Sequence, residues 1–264
     1  MLQCETGKIR GESQKGLNMK TLNAKVSIIM PAYNESSHII TSIQETIDTF
    51  EQFGCDYEII VMDDGSKDDT YEKARNFAAE HLRVCVKKNQ TNFGKGRTLK
   101  KAFRHVTGDY VVFLDADLDL HPKQAEDLFE VMRREDADVV IGSKRHPKSK
   151  VNYPLQRRII SSGYYYFIRV LFGLPLKDTQ TGIKLFKRRV LQDVFPKVLI
   201  KRYAFDLELL VIAHHLKYKI AEAPITLHFQ RSFNRIKMNH IWHTAWDTLA
   251  VFYRMHILRY YDKT

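Results

Sequence analysis

Cysteine is scarce in this chain, and long apolar runs are missing. The three cysteines among 264 residues, Cys4, Cys55 and Cys85, are odd in number and share no metal-ligand spacing. That excludes a disulfide framework and a cysteine-held metal, and it fits a reducing compartment. No stretch reaches the ~18 uninterrupted apolar residues of a membrane-crossing helix. The most apolar one, residues 159–176, carries Arg169, two serines and two glycines, so it reads as amphipathic. The first residues lack the apolar core of a secretory signal. Acid is absent from two segments: residues 142–170 hold seven Lys/Arg and no Asp/Glu, and residues 225–240 hold three more basic residues and no acid.

What is present is a formal charge of +11, which invites a polyanion: nucleic acid, anionic lipid or a phosphorylated substrate. The candidate site is acidic by contrast. Val111 to Leu114 is a continuous β-branched and aromatic run, the signature of a strand buried on both faces. Three alternate carboxylates follow it, Asp115, Asp117 and Asp119. They are too costly to bury unpaired, so water or a cation must meet them where the strand leaves the sheet. A solvated acidic turn before Pro122 is the alternative.

Residues 1–24 are polar and aperiodic and read as a disordered extension, with Met19 an alternative start. Strands are expected at 26–30, 57–62, 83–88, 111–114 and 138–143. Helices alternate with them: one from Glu35 to Phe53 with Asn34 as N-cap and a stripe of Ile39, Ile43, Ile47 and Phe50, one over 69–81, one opening at 92–97, and one begun by Pro122. This alternation predicts an α/β fold with a doubly wound, mostly parallel sheet, whose ligands sit beyond the carboxyl ends of its strands. Tyr33, Asp64, Asp115 and Asp117 all fall at such ends. In the second half, a basic aromatic helix is expected over 154–172, a loop at 178–182, a strand at 183–186, a helix over 203–216 and a strand over 220–229 interrupted at Pro224. A final helix over 241–260 has Ile241, Ala245, Leu249 and Phe252 on one stripe, with Trp242, Trp246 and Tyr253 beside it, to cover the core or lie on a membrane.

Six motifs occur in order: Pro31-Ala32-Tyr33-Asn34-Glu35, Asp63-Asp64-Gly65-Ser66-Lys67-Asp68, Asn92-Phe93-Gly94-Lys95-Gly96, Asp115-Ala116-Asp117-Leu118, Gly142-Ser143, and Asp178-Thr179-Gln180-Thr181-Gly182-Ile183-Lys184-Leu185-Phe186. Through them, residues 26 to about 238 resemble the inverting family 2 glycosyltransferases of the GT-A fold, and within those the polyprenyl-phosphate (dolichyl-phosphate) transferases. The resemblance implies a GT-A domain over 25–238 and a C-terminal amphipathic helix over 239–264. It also implies that Pro31, Tyr33, Glu35 and Lys95 border the nucleotide, and that Asp64 accepts a hydrogen bond from the base, an N-cap role being its alternative. Asp115 and Asp117 would hold Mg²⁺ or Mn²⁺ on the diphosphate, with Asp119 as a third metal carboxylate or a solvated turn. Arg145, Arg157 and Ser161 would bind an acceptor phosphate, with Arg158 an alternative to Arg157. Arg231 and Lys237 resemble later basic residues of the family, although Asn234 and Ile236 depart from its Gly and Ser, which puts the role of Arg231 in doubt.

The activity so implied is inverting sugar transfer to a polyprenyl phosphate by a peripheral enzyme on the cytoplasmic face of the membrane. An ionised lipid phosphate attacks the anomeric carbon without a general base, so Asp115, Asp117, Arg145 and Arg157 are the catalytic candidates. The 178–186 motif looks closer to glucosyl than to mannosyl transferases, which favours a UDP-sugar over a GDP-sugar. Transfer to a saccharide hydroxyl is an alternative that needs a base, Asp206 or Asp178, but residues 155–159 lack the Gln-x-x-Arg-Trp signature of processive synthases. A basic nucleic-acid-binding module using Tyr164 to Phe167 is another. It leaves the acidic strand ends unexplained, so no nucleic-acid partner is expected.

Overall fold

Each buried apolar run becomes a strand, and each stretch of helical period becomes a helix on one face of the sheet. The computed structural model describes residues 23–151, 155–200, 204–227 and 238–262, with the backbone alone considered at 155–160 and 238–241. Residues 1–22 of the expected extension at 1–24, Arg231, Lys237 and the side chains of Arg157 and Arg158 therefore lie outside the described residues.

In the first half, β1 (Lys25–Ala32), α1 (Ile39–Phe53), β2 (Asp56–Asp63), α2 (Thr70–Ala78), β3 (Val84–Lys88), α3 (Lys95–Ala102), β4 (Tyr110–Phe113), α4 (Ala125–Glu135) and β5 (Val139–Ser143) alternate. The second half holds β6 (Lys150–Val151), α5 (Leu155–Phe172), β7 (Lys184–Lys187), α6 (Arg188–Val194), α7 (Phe205–His215), β8 (Ile220–Pro224), β9 (Thr226–Leu227) and α8 (Met238–Phe252). Seven strands form one sheet in the order β3-β2-β1-β4-β7-β5-β8. All neighbours are parallel except β7, which runs antiparallel to both β4 and β5. The α/β sheet is thus mostly parallel, as expected.

Alternation along the central strands divides the core. Ile28, Val61, Val112 and Leu185 face α1 and α4 on one side, while Ile29, Ile60, Val111, Phe113 and Phe186 face α6 and α7 on the other. Phe113 and Phe186 meet across β4 and β7 with ring centroids 4.8 Å apart. Removing either ring would cost ~3–5 kcal/mol.

Four elements differ from expectation. β1 continues through Pro31: Ile29 accepts from Leu114 on the β4 side, so the missing Pro31 N–H points to that same edge, past the β4 ladder, which ends at the Ile29–Phe113 pair. α1 begins at Ile39, not Glu35, because Asn34 sits in the left-handed region (φ 55°) and its side chain is committed elsewhere. α6 went unread because seven residues show too few turns for a period to stand out. In α8 and the turn after it, the expected stripe is split: Phe252 packs against the core beside the buried Thr248 and Val251, whereas Leu249 is exposed together with Trp242, Trp246, Tyr253 and Ile257.

Candidate functional site

The carboxyl ends of β1, β2 and β4 open into a cleft of about 310 Å³ lined by Pro31, Ala32, Tyr33, Glu35, Asp64, Asn92, Gly94, Lys95, Thr98, Asp115, Ala116 and Asp117. Its walls are loops held by their own polar side chains. The Asn34 side-chain Oδ1 accepts from Lys67 N at 2.9 Å and Asn34 N donates to Ser66 Oγ at 2.9 Å. Asp63 accepts from the backbone of Gly65 and Ser66 and from the Ser66 hydroxyl. These bonds tie the loop after β1 to the loop after β2, so Tyr33 and Asp64 share one wall.

Asp64 is not an N-cap. Its Oδ1 accepts from Asn89 Nδ2 at 2.8 Å and Phe93 N at 2.9 Å, and its Oδ2 from Gly94 N at 2.8 Å. Three protein donors fasten the 92–95 loop to the end of β2, leaving one lone-pair direction of this buried carboxylate toward the cleft. Gly94 takes φ 93° at the start of α3, a conformation glycine adopts without strain, and this aims Lys95 across the cleft at Asp115.

Lys95 Nζ lies 2.6 Å from Asp115 Oδ1 and 2.9 Å from Oδ2. Burial would push the Lys95 ammonium down, but Asp115 and then Asp206 outweigh it and hold the pKa above the ordinary lysine value. Behind Asp115 lies Gly182, where an added Cβ would overlap the carboxylate. The glycine of the 178–186 motif therefore lets main chain back the aspartate. Gly96 allows a comparable close approach in the adjoining layer, since a Cβ there would collide with the Phe205 ring and push α3 away from the start of α7.

Lys184 stands in the sequence as one letter of the 178–186 motif, and the structure makes it a member of the site. It is 1% exposed, and its Nζ donates to Thr181 O at 2.5 Å and to Asp206 Oδ1 at 2.7 Å. Burial pushes the Asp206 carboxyl upward, but Lys184 and Lys95 prevail and its pKa falls below the usual value. A lysine inside the otherwise apolar run Ile183-Lys184-Leu185-Phe186 was the signal, because a cation buried in a central strand needs a carboxylate partner. Asp178, the other candidate base, instead closes its own loop by accepting from Lys144 N and Gln180 N, both at 3.1 Å.

The three alternate carboxylates do not converge. Among the described residues no group of three or more His, Cys, Asp and Glu side chains is placed to hold a metal ion. The strand ends at Phe113, and Leu118 at φ 59° turns the chain, so the period of two is lost before Asp119. Asp119 N donates to Asp117 Oδ1 at 3.2 Å, and Asp119 Oδ1 is buried with no hydrogen-bond partner among the described residues. Asp115 and Asp117 still fit a hard divalent ion. Their donors are all oxygen, and Asp115 already receives a cationic group on both oxygens.

Arg145 and Ser161 are outside the cleft lining. Arg145 follows β5, whose carboxyl end lies on the same edge as that of β4, two strands away, or about 9–10 Å. Its guanidinium sits 5.1 Å from the Tyr165 ring centroid and donates to Ser162 Oγ, which ties it to α5. Its Nε has no hydrogen-bond partner among the described residues.

The family model described as Glycosyl transferase family 2 matches residues 27–195. The dolichyl-phosphate beta-glucosyltransferase ALG5C of Trichomonas vaginalis is 32% identical over 210 residues, covering 75% of this chain and 62% of its own length. The glycosyltransferase AglD of Haloferax volcanii is 32% identical over 203 residues, covering 76% of this chain and 32% of its own. The second Trichomonas enzyme, ALG5D, is 31% identical over 251 residues, 90% of this chain and 76% of its own. The chain thus spans about three fifths of the length of the first of these and a third of AglD. Among solved structures, glucosyl-3-phosphoglycerate synthase of Mycobacterium tuberculosis, in complex with Mn²⁺, UDP-glucose and phosphoglyceric acid, superposes with a TM-score of 0.64 at 21% identity over 89% of this chain and 81% of its own. Mannosyl-3-phosphoglycerate synthase of Rubrobacter xylanophilus superposes with a TM-score of 0.68 at 16% identity over 92% and 77%. At such identities the likeness concerns the fold alone.

Proposed function

This chain belongs to glycosyl transferase family 2, and from that premise we propose that it transfers a hexose, with inversion, from a nucleotide-sugar to a polyprenyl (dolichyl-type) phosphate at a membrane surface. The observation that carries the acceptor half is the Lys184–Asp206 pair. Asp206, a candidate general base, is held by a buried lysine with its pKa depressed, which makes it a poor proton acceptor. An acceptor that arrives ionised needs none. Relatives named dolichyl-phosphate beta-glucosyltransferases support that choice.

In this mechanism Tyr33 and Asp64 border the base and Lys95 neutralises diphosphate charge. Asp115 and Asp117 would hold the divalent ion, whose bound charge stabilises the departing nucleoside diphosphate. With two protein carboxylates, further oxygens would come from the diphosphate and water. Arg145, with Ser161 and the arginines at 157 and 158, would orient the lipid phosphate, since the guanidinium fork meets phosphate oxygens in pairs. One phosphate oxygen forms the new bond to the anomeric carbon as the bond to the nucleoside diphosphate breaks, and no proton changes hands. A UDP-sugar is favoured over a GDP-sugar. Mn²⁺ in a structural neighbour supports Mn²⁺ or Mg²⁺ here.

Membrane contact is assigned to α8 and the turn after it. Trp242 is 72% and Trp246 74% exposed, and Leu249, Tyr253 and Ile257 continue the same outward row at steps of three and four. On α5, which packs against α8, Tyr166 and Val170 are exposed as well. Among the described residues no helix is long and apolar enough to cross a bilayer. A row of aromatic and aliphatic groups beside acid-free basic sequence suits the interfacial layer of an anionic leaflet, taken as its cytoplasmic face. The test is a panel of UDP- and GDP-sugars assayed with a short-chain polyprenyl phosphate, together with flotation on anionic liposomes at low salt. Labelled sugar should enter the polyprenyl phosphate and protein should float. A protein that releases nucleotide with a saccharide acceptor but not with the lipid, or that is retained on heparin but not on liposomes, would refute the assignment.

A further inference from the structure

Lys95 and a divalent cation have the same acceptor. The Lys95 ammonium spans both oxygens of Asp115 at 2.6 and 2.9 Å, the edge on which a metal ion would also sit. The partners differ in freedom. Asp115 is backed by the main chain of Gly182, where even one added carbon would overlap its carboxylate. Lys95 is a four-carbon arm lining the open cleft, with its side chain about one third exposed. The neighbouring carboxylate has a lysine of its own, Lys184 at 2.7 Å from Asp206, so the pairing is one to one. When a stronger anion or cation enters the cleft, Lys95 is the member that moves.

We propose that Lys95 is a resident counter-ion of Asp115 that makes divalent-cation binding conditional on the nucleotide. The diphosphate draws the ammonium off Asp115, and the vacated carboxylate edge then takes the metal. The inference rests on the nucleotide-sugar assignment of the cleft. Linkage makes it reciprocal, because nucleotide and metal must tighten each other by the same factor. It also gives Asp115 two successive cationic partners, the ammonium before the nucleotide arrives and the metal after it.

The test is Mn²⁺ binding to the full chain, read from the loss of the free aqueous Mn²⁺ paramagnetic resonance signal, without nucleotide and with saturating UDP or GDP. The wild-type protein should bind Mn²⁺ weakly alone and ~10-fold more tightly with nucleotide. Lys95→Met should bind Mn²⁺ alone ~10-fold more tightly than wild type and gain less from nucleotide. Lys144→Met, which removes a lysine paired with Asp178 at 3.6 Å, controls for the general field and should stay within about twofold of wild type. If Lys95→Met binds Mn²⁺ alone no more tightly than wild type or Lys144→Met, the inference is wrong while the nucleotide site stands. If neither nucleotide promotes Mn²⁺ binding in any variant, the nucleotide-sugar assignment falls and takes the inference with it.

Discussion

The two sides of the sheet edge are finished to different degrees. On the β1–β2 side three carboxylates, Asp63, Asp64 and Asp68, are each met by several protein donors, while Asp69 faces solvent. Asp63 takes three donors, Asp64 takes three, and Asp68 takes the backbone of Ser36 and both donors of Thr70. On the β5–β7 side, Ser143 Oγ, Thr181 Oγ1 and Arg145 Nε are buried with no hydrogen-bond partner among the described residues, and the outward face of α8 is apolar and exposed. Buried polar groups in folded proteins are nearly always paired. The difference therefore teaches that the β1–β2 side is fastened by its own side chains, while the β5–β7 side keeps polar groups in reserve, and under the proposed function these are the donor and acceptor sides.

The sharpest way to break this comparison is on the donor side. Asp117→Ala should lower metal-dependent transfer by ~10²–10³-fold, the range for removing one electrostatic stabiliser of a transition state. Its circular dichroism and melting profile should match wild type. A fully active variant would remove the centre of the donor half.

The acceptor side needs a rigid frame, and α7 supplies it. Glu208 is fully buried and accepts from Leu199 N at 2.9 Å, Ile200 N at 2.6 Å and Tyr261 Oη at 2.6 Å, with Arg254 Nη2 at 3.0 Å. This latch fastens the segment after α8 beneath the helix that carries Asp206. Glu208→Ala strips Arg254 and two N–H groups of their carboxylate and should cost ~3–5 kcal/mol in denaturant unfolding. Tyr261→Phe removes the bond its hydroxyl donates to Glu208 at 2.6 Å and the one it accepts from Arg254 Nε at 3.2 Å, and should cost about 1.5–3 kcal/mol.

Arg145→Ala should raise the KM for polyprenyl phosphate ~10-fold or more, the scale of one charge-assisted hydrogen bond, with UDP affinity unchanged. Equal losses on both substrates would mean that the two sides are not separable. The smallest effect concerns pH. The folded-state pKa of Asp206 is below its unfolded value, so the stabilisation from its pair is complete above the unfolded value near ~4 and is lost as pH falls through the lower folded value. Transfer to a lipid phosphate should then show no limb from this carboxylate between about pH 6 and 8. A limb there that vanishes in Asp206→Asn would restore the general-base alternative.

Much of this was legible in the chain. Val111 to Leu114 announced a strand buried on both faces because a parallel sheet covered by helices tolerates little else, and the stripe Ile39, Ile43, Ile47 and Phe50 announced the buried face of α1 by its period. The six motifs carried the family, which the match over 27–195 bears out. Tyr33, Glu35, Asp64, Lys95, Asp115 and Asp117 stand out in those motifs and share one cleft. Their individual roles, and the division into 25–238 and 239–264, stand as proposals.

Other features were decided only by tertiary contact. Asp119 separates from its neighbours because a turn at Leu118 breaks the period of two. Asp64 proved to be a loop fastener because Asn89, Phe93 and Gly94, 25 to 30 residues away, converge on it. The inner face of α8 is set by Thr248 and Val251, since hydrophobicity alone does not say which side of a doubly apolar helix meets the core. The pairing of Lys184 with Asp206 depends on β7 running antiparallel between β4 and β5, which starts it at the carboxyl end of β4, and that of Lys95 with Asp115 depends on the Asp64-held loop that aims α3 at the same end. Local sequence sets period, caps and turn chemistry; which charge faces which is settled where distant strands end side by side, in space that no local pattern encodes.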